Sequence, residues 1–337
     1  MIEASHLSKS FRLRAGKKDS GSAIRNLLLP RSIVKEAVRD VSFKIKQGEF
    51  TGFIGPNGAG KSTTIKMLSG ILHPTSGEVR LSGINPHRKR REAARSLGVL
   101  FGQRTQLWWD LPLKDSFEVL GAMYSMEETR RKRRVQELDN LLRLGEFMDT
   151  PVRKLSLGQR MRGDLAAALL HEPSILILDE PTIGLDASAK RDIRSLLRSV
   201  NEELGTTILL TTHDMDDIEQ LCSRVLVITE GTLHYDGSLD GLRSRIGMPA
   251  QIEATFRTLE QANAAWAHLQ GAGAASFGGK QLQERTIIVE CSLEQRSFMN
   301  ILRELETFGE LEDARMREAA FEEAVHRLYP DARPAKD

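Results

Sequence analysis

The run Phe50-Thr51-Gly52-Phe53-Ile54-Gly55-Pro56-Asn57-Gly58-Ala59-Gly60-Lys61-Ser62 decides the fold. Residues 50–54 read as a short buried strand, and residues 62–69 as a helix closed by Gly70. Between them, Gly55 to Ser62 fits G-x-x-x-x-G-K-[ST], a phosphate-cradling loop in its strand-to-helix context. Within Gly55, Pro56, Asn57, Gly58, Ala59 and Gly60, the glycines let the backbone wrap closely around oxygens. Several N–H groups then face an anion, helped by the start of the helix. Lys61 adds a full positive charge at the β- and γ-phosphates, and the Ser62 hydroxyl is a ligand for Mg2+. Thr63 follows directly and is counted with the binding residues. Taken alone, this loop says only that the chain binds a nucleotide.

Further along, residues 175–178 form an apolar run that ends in Asp179-Glu180. Ligands collect at strand ends in parallel sheets. One carboxylate for metal and one for water is the division of labour that hydrolysis needs. Asp179 is therefore expected to hold Mg2+ through water, and Glu180 to polarise the attacking water as general base. An isolated acidic pair after a strand is more often a solvated turn; the preceding phosphate loop and the following Pro181-Thr182 reverse that weighting.

Leu155-Ser156-Leu157-Gly158-Gln159-Arg160 lies upstream of that strand. At this point the sequence resembles the ABC ATPases, in which a Walker A loop, an LSxGQ signature and a Walker B strand follow one another in this order. Gln103, after Val99-Leu100-Phe101-Gly102, looks like the family's Q-loop glutamine. Gly184-Leu185-Asp186 looks like its D-loop, and His213 like its switch histidine. The resemblance covers about residues 2–240 and is specific because six weak motifs occur in order.

The resemblance implies two ATP molecules sandwiched between two copies of the domain. Ser156, Gly158 and Gln159 would contact the γ-phosphate of the ATP held by the other copy's Lys61. Gln103 would sense Mg2+ and water, His213 would hold the transition state, and Asp186 would communicate across the dimer. Phe11 stands where the family stacks an aromatic ring, usually Tyr, on adenine. Leu157 is a second departure, since the commoner signature has Gly there and Leu restricts φ. A subset of the ATPases of ABC-2-type exporters looks similar here, with LSLGQRMR, and residues 101–112 resemble the same subset.

The expected architecture is an α/β P-loop NTPase domain over residues 2–240, with an inserted helical subdomain at about 103–171. A small α+β domain is expected over 246–330, with strands at 251–256 and 286–290 and helices at 260–270, 293–307 and 317–328. It resembles the small appendage of the exporter ATPases, Ala319 to Val325 matching the family's closing helix. Residues 12–36 read as an inserted surface loop, and 130–143 as a helix carrying Val135, Leu138, Leu141 and Leu142.

The 337 residues leave room for both domains. A net charge of +2 and the lack of aromatic interleaving argue against a nucleic-acid partner. The basic clusters at 12–18, 88–91 and 130–134 read as solvated faces. Cys222 and Cys291 read as reduced packing residues. No apolar run approaches the roughly 20 residues that span a bilayer, so a cytoplasmic location is expected, with membrane work done through a partner. By resemblance that partner is an integral-membrane ABC-2-type permease, with Trp108 and Trp109 near its docking point. The rival readings are an ABC-type ATPase acting without a permease and a regulatory subunit. The single cassette argues against the first, and the presence of Lys61 and Glu180 against the second.

Overall fold

The computed structural model describes residues 1–14, 32–102, 104–246, 250–270, 280–291 and 298–317. The chain divides into two compact units, Met1–Leu239 and Asp240–Asp337.

The first unit runs in order β1 (Ile2–Arg14), β2 (Ser32–Ile45), β3 (Phe50–Ile54), α1 (Lys61–Leu68), β4 (Ser76–Leu81), α2 (Arg90–Ser96), β5 (Leu97–Phe101), α3 (Leu113–Met123) and α4 (Glu128–Leu142). It continues with α5 (Leu157–Leu169), β6 (Ile175–Asp179), α6 (Ala187–Leu204), β7 (Thr207–Thr211), α7 (Met215–Leu221), β8 (Arg224–Thr229) and β9 (Thr232–Gly237). Its main sheet has the order β5-β6-β7-β3-β8-β9. All neighbours are parallel except β8 and β9. The central strands read as continuous apolar runs because both faces of a parallel sheet are covered by other elements. Every residue of β3 and β7 is buried accordingly, as are the first four of β6. β3 and β6 match the expected runs 50–54 and 175–178 to within one residue at either end.

A second, antiparallel sheet with the order β2-β1-β4 packs beside it, and the composition did not announce it. Ile2, Leu7, Val41, Ile45 and Leu81 bury themselves there against Phe53 and Ile65 of the parallel layer. This sheet corrects the reading of 12–36 as a loop. Arg12 pairs with Val34, Leu13 with Ile33 and Arg14 with Ser32, so both ends of the segment extend a hairpin. Its basic and small residues hid the pairing, because backbone ladders do not need an apolar alternation on an exposed edge. Residues 15–31 lie outside the described set.

Residues 113–169 are mainly helical, with two 3-10 turns at Gly145–Phe147 and Val152–Lys154. In α4, Arg134, Leu138 and Leu142 are buried, a spacing of one face, whereas Val135 is only half-buried. Arg134 corrects the expectation that 130–134 is wholly a solvated face. Its Nε and Nη2 donate to the Leu169 carbonyl at 3.4 and 3.3 Å, and its Nη1 lies 3.0 Å from Glu137 Oε2. The last carbonyls of a helix have no partner inside it. Arg134 therefore closes the end of α5 while its stem fills the gap between α4 and α5.

α8 (Leu239–Ile246) leads into the second unit: β10 (Ala250–Phe256), α9 (Leu259–Gln270), β11 (Lys280–Gln283), β12 (Thr286–Cys291), α10 (Phe298–Glu306) and β13 (Leu311–Arg317). The order βαββαβ with sheet order β11-β12-β10-β13, all antiparallel, is the split-βαβ arrangement. Ile252, Ala254, Phe256, Ile287 and Val289 pack under Ala262, Leu269, Ile301 and Leu305 of the two helices. β11 and β13 were not foreseen. The expected helix 317–328 begins on a residue that ends β13, since Arg317 pairs with Gln251. The rest of that helix, including 319–325, lies outside the described residues, as do 271–279 and 292–297. Cys222 is buried with a free thiol, raised in pKa first by burial and then by Asp217. Among the described residues no helix is long and apolar enough to cross a membrane.

Arg134→Met keeps the buried stem and removes the donors to Leu169. The unfolding free energy is expected to fall by about 1–3 kcal/mol through the unpaired carbonyl. Urea unfolding checks this; an unchanged midpoint would mean that the carbonyl does not depend on the guanidinium.

Candidate active site

β3 delivers the chain to the crevice outside the carboxyl ends of the parallel strands. The turn back into α1 brings Gly60 to φ +110 as the helix N-cap. A Cβ on Gly60 would stand 2.6 Å from the Ala37 carbonyl oxygen, so only glycine lets β2 approach this closely. Lys61, the first helical residue, is only 7% exposed. Its Nζ donates to the carbonyls of Gly55 and Pro56. Burial holds its pKa below the usual lysine value, and the charges of Glu180 and Asp179 pull it back up. The loop carbonyls are therefore place-holders for stronger anionic partners.

A cleft of about 900 Å3 opens above this loop. Phe11, Pro56, Asn57, Gly58, Gly60, Lys61, Ser62 and Thr63 line it, together with Glu180 and His213. Val34, Lys35 and Glu36 of β2 also line it, and Lys35 is paired with Phe11 across the β1–β2 ladder. Lys9 Nζ lies 5.3 Å from the centre of the Phe11 ring.

β6 ends with Asp179, whose Oδ1 accepts from Thr211 Oγ1 at 2.5 Å. Ser62, Asp179 and Glu180 line a smaller adjoining cavity. A hydroxyl and a carboxylate are hard oxygen donors, which fits Mg2+ completed by phosphate oxygens and water. Glu180 adopts φ +56, a left-handed conformation that costs a non-glycine residue. Its N–H is anchored on the Thr211 carbonyl at 2.8 Å. His213 Nε2 lies 2.8 Å from Glu180 Oε1. An ionised carboxylate only accepts, so Nε2 carries the proton of that contact. Gln103 lies outside the described residues.

The signature residues are elsewhere. Ser156, Gly158, Gln159 and Asp186 do not line the cleft. Ser156 is the N-cap of α5 in a capping box with Gln159: its Oγ accepts from Gln159 N at 3.2 Å, and Gln159 Oε1 accepts from Ser156 N at 2.9 Å. Asp186 caps α6 by accepting from Ala189 N at 2.8 Å. Leu157, 36% exposed, leans on the turn at Gly184, where an added Cβ would stand 3.3 Å from Leu157 Cδ2. Gly184 has φ +76, which suits glycine alone. The leucine thus ties the start of α5 to the 184–186 turn of the same chain.

The ABC transporter family model matches residues 38–183. The daunorubicin resistance ATP-binding protein DrrA3 of Streptomyces coeruleorubidus is 31% identical over 304 residues, 90% of this chain and 94% of that one. The chain belongs to the ABC transporter ATP-binding proteins. The ABC transporter ATP-binding protein NatA of Bacillus subtilis is 34% identical over 62% of this chain and 85% of its own length. Among solved structures, a dimeric post-hydrolysis ATP-binding cassette bound to ADP and Pi superposes with a TM-score of 0.58 at 25% identity, over 71% of this chain and 98% of that one. The ABC protein described here is an ATPase.

One residue of this ABC ATPase escaped the sequence reading. Asp164 lies in α5 within an otherwise small and apolar stretch, Gly163 to Ala168, and is 5% exposed. Its Oδ1 accepts from Thr105 Oγ1 and from Gln106 N, both at 2.9 Å. The carboxyl thereby fastens the segment after Gln103 to the signature helix. Burial pushes its pKa up to about 6, against the opposing effects of the Gln106 and Thr105 hydrogen bonds and of Arg160. A lone acid on the apolar face of a helix was the available signal. Beside it, Arg160 lies 5.5 Å from the ring of Trp109, which is half exposed.

A pKa raised in the folded state means stability that is gained in acid and lost as pH rises through about 6. Asp164→Asn keeps the accepting oxygen and removes the titration. Between pH 7.5 and pH 4.5 the wild type is expected to gain about 2 kcal/mol relative to the variant. Denaturant unfolding at both pH values checks this; parallel stabilities would place the Asp164 pKa near its ordinary value.

Proposed function

We propose that two copies of this ATPase close head to tail around two Mg-ATP, and that their opening and closing drives a separate integral-membrane permease of the ABC-2 type, in export. The observation that carries this reading is the separation of the site into two surfaces. The cleft holds the cradle, Glu180 and His213, whereas Ser156, at the start of α5, is not among the residues that line it. A helix N-terminus of this length is a ready anion site. A second copy supplies what one copy's cleft lacks. The similarity to a cassette solved as a dimer supports the same arrangement.

Each side chain then has a role. Phe11 packs on the base. Residues Gly55 to Thr63 cradle the phosphates, and Lys61 exchanges its carbonyl partners for β- and γ-phosphate oxygens. Ser62, Asp179 and Gln103 hold Mg2+, which neutralises phosphate charge when bound. Glu180 accepts the proton of the attacking water, and His213, already on Glu180, steadies both the carboxylate and the γ-phosphate. Ser156, Gly158 and Gln159 meet the γ-phosphate held by the other copy, and Asp186 lies in the turn that crosses between copies. Trp108 and Trp109, both exposed, are anchors for the permease at the cytoplasmic membrane face. The resistance function printed in the name of the Streptomyces relative favours export over import.

Glu180→Gln is expected to bind Mg-ATP normally, to lose at least a hundredfold in turnover, and to elute as a dimer with Mg-ATP. Lys61→Ala is expected to weaken ATP binding at least tenfold. Phosphate release and light scattering check both. Full turnover in Glu180→Gln would remove Glu180 as base, and a persistent monomer with bound ATP would remove the sandwich.

A further inference from the structure

Behind the Glu180–His213 contact lies a buried carboxylate with no role so far. Asp217, in the first turn of α7, is fully buried. Its Oδ2 accepts from Thr182 Oγ1 at 2.5 Å and from Thr212 Oγ1 at 3.0 Å. Its Oδ1 accepts from Nε of Arg194, a residue of α6 that is itself almost buried. Arg194 Nη2 also reaches Asp214 Oδ1 at 3.1 Å, and Lys190 Nζ reaches Asp214 Oδ2 at 2.6 Å. The Asp214 N–H in turn donates to Thr212 Oγ1 at 3.0 Å.

Burying an ion pair is expensive unless its remaining hydrogen-bonding sites are satisfied, and such pairs stabilise weakly compared with an apolar replacement. Fold stability alone is thus a poor reason for Asp217. What the carboxylate joins is more specific. Thr182 is two residues beyond Glu180, and Thr212 directly precedes His213. Arg194 rides on the helix that Asp186 caps. Glu180 sits at φ +56, a conformation that persists only when its surroundings over-determine it. Its N–H anchor on Thr211 fixes one side of that turn, and the Thr182 bond to Asp217 fixes the other.

We propose that Asp217, neutralised by Arg194, is a positioning residue: its one carboxylate holds both the Glu180 turn and the His213 loop, and so sets the 2.8 Å contact between them. Through Arg194 the same carboxylate ties that pair to the helix that begins at Asp186. The inference rests on the catalytic reading of Glu180 and His213 given above. A misplacement of the base by a fraction of an ångström lowers turnover without touching the phosphate cradle.

The test uses Thr182→Val and Thr212→Val, which keep shape and leave the Arg194–Asp217 pair intact, with Thr→Ser at each position as the conservative partner. Steady-state kcat and the Kd for a fluorescent ATP analogue are measured on the purified full chain, beside Glu180→Gln. Each valine variant is expected to lose about tenfold in kcat with Kd within about twofold, and each serine variant to restore kcat. Two results overturn the proposal: valine variants with wild-type kcat, or serine variants no better than valine. Turnover in Glu180→Gln instead overturns the catalytic reading beneath it, so the two failures are told apart by which protein keeps its activity.

Discussion

A lysine ammonium kept almost out of water at the end of an apolar strand is the constraint from which the rest of this molecule follows. Among the described residues, Lys61 is buried with loop carbonyls as its direct partners and two carboxylates further off. Desolvation disfavours its charge, and only a dense set of oxygens makes the arrangement tolerable. The glycine loop supplies two of them, and β6 brings Asp179 and Glu180 to the same edge because parallel strands all end on one side of the sheet. The position that is awkward without a ligand is the position best prepared for a polyphosphate.

Much of this was legible because parallel strands buried on both faces have to be apolar throughout. Residues 50–54 and 175–178 announced themselves in that way, and the loop after the first of them named its own chemistry. The hairpin between Phe11 and Glu36 stayed hidden, since an exposed ladder is held by backbone groups that leave little trace in side-chain type. Arg134 and Asp164 were hidden for a different reason. Each is a charged residue that a helical pattern assigns to solvent, and each is buried because a distant partner needs it: the Leu169 carbonyl for one, the Thr105–Gln106 turn for the other. Tertiary partners that far away in sequence do not show in local periodicity.

The second unit obeys the same logic with fewer signals. Residues 251–256 and 286–290 were legible as strands and 260–270 and 293–307 as helices, and β10, β12, α9 and α10 match them in kind. β11, only four residues long, carries too little pattern, and β13 contains Glu312 and Asp313, which disfavour a strand in isolation. Pairing with β10 overrode that preference, as sheet context commonly does.

The capping box at the start of α5 has one more consequence. The side chains of Ser156 and Gln159 satisfy each other's backbone N–H groups, so two of the donors at the helix start are engaged before any ligand arrives. An oxyanion that takes over either donor exchanges one hydrogen bond for another, which is nearly neutral. The box also holds the first turn in its helical shape, so the ordering of that turn is met by a serine and a glutamine three residues apart and not by the ligand.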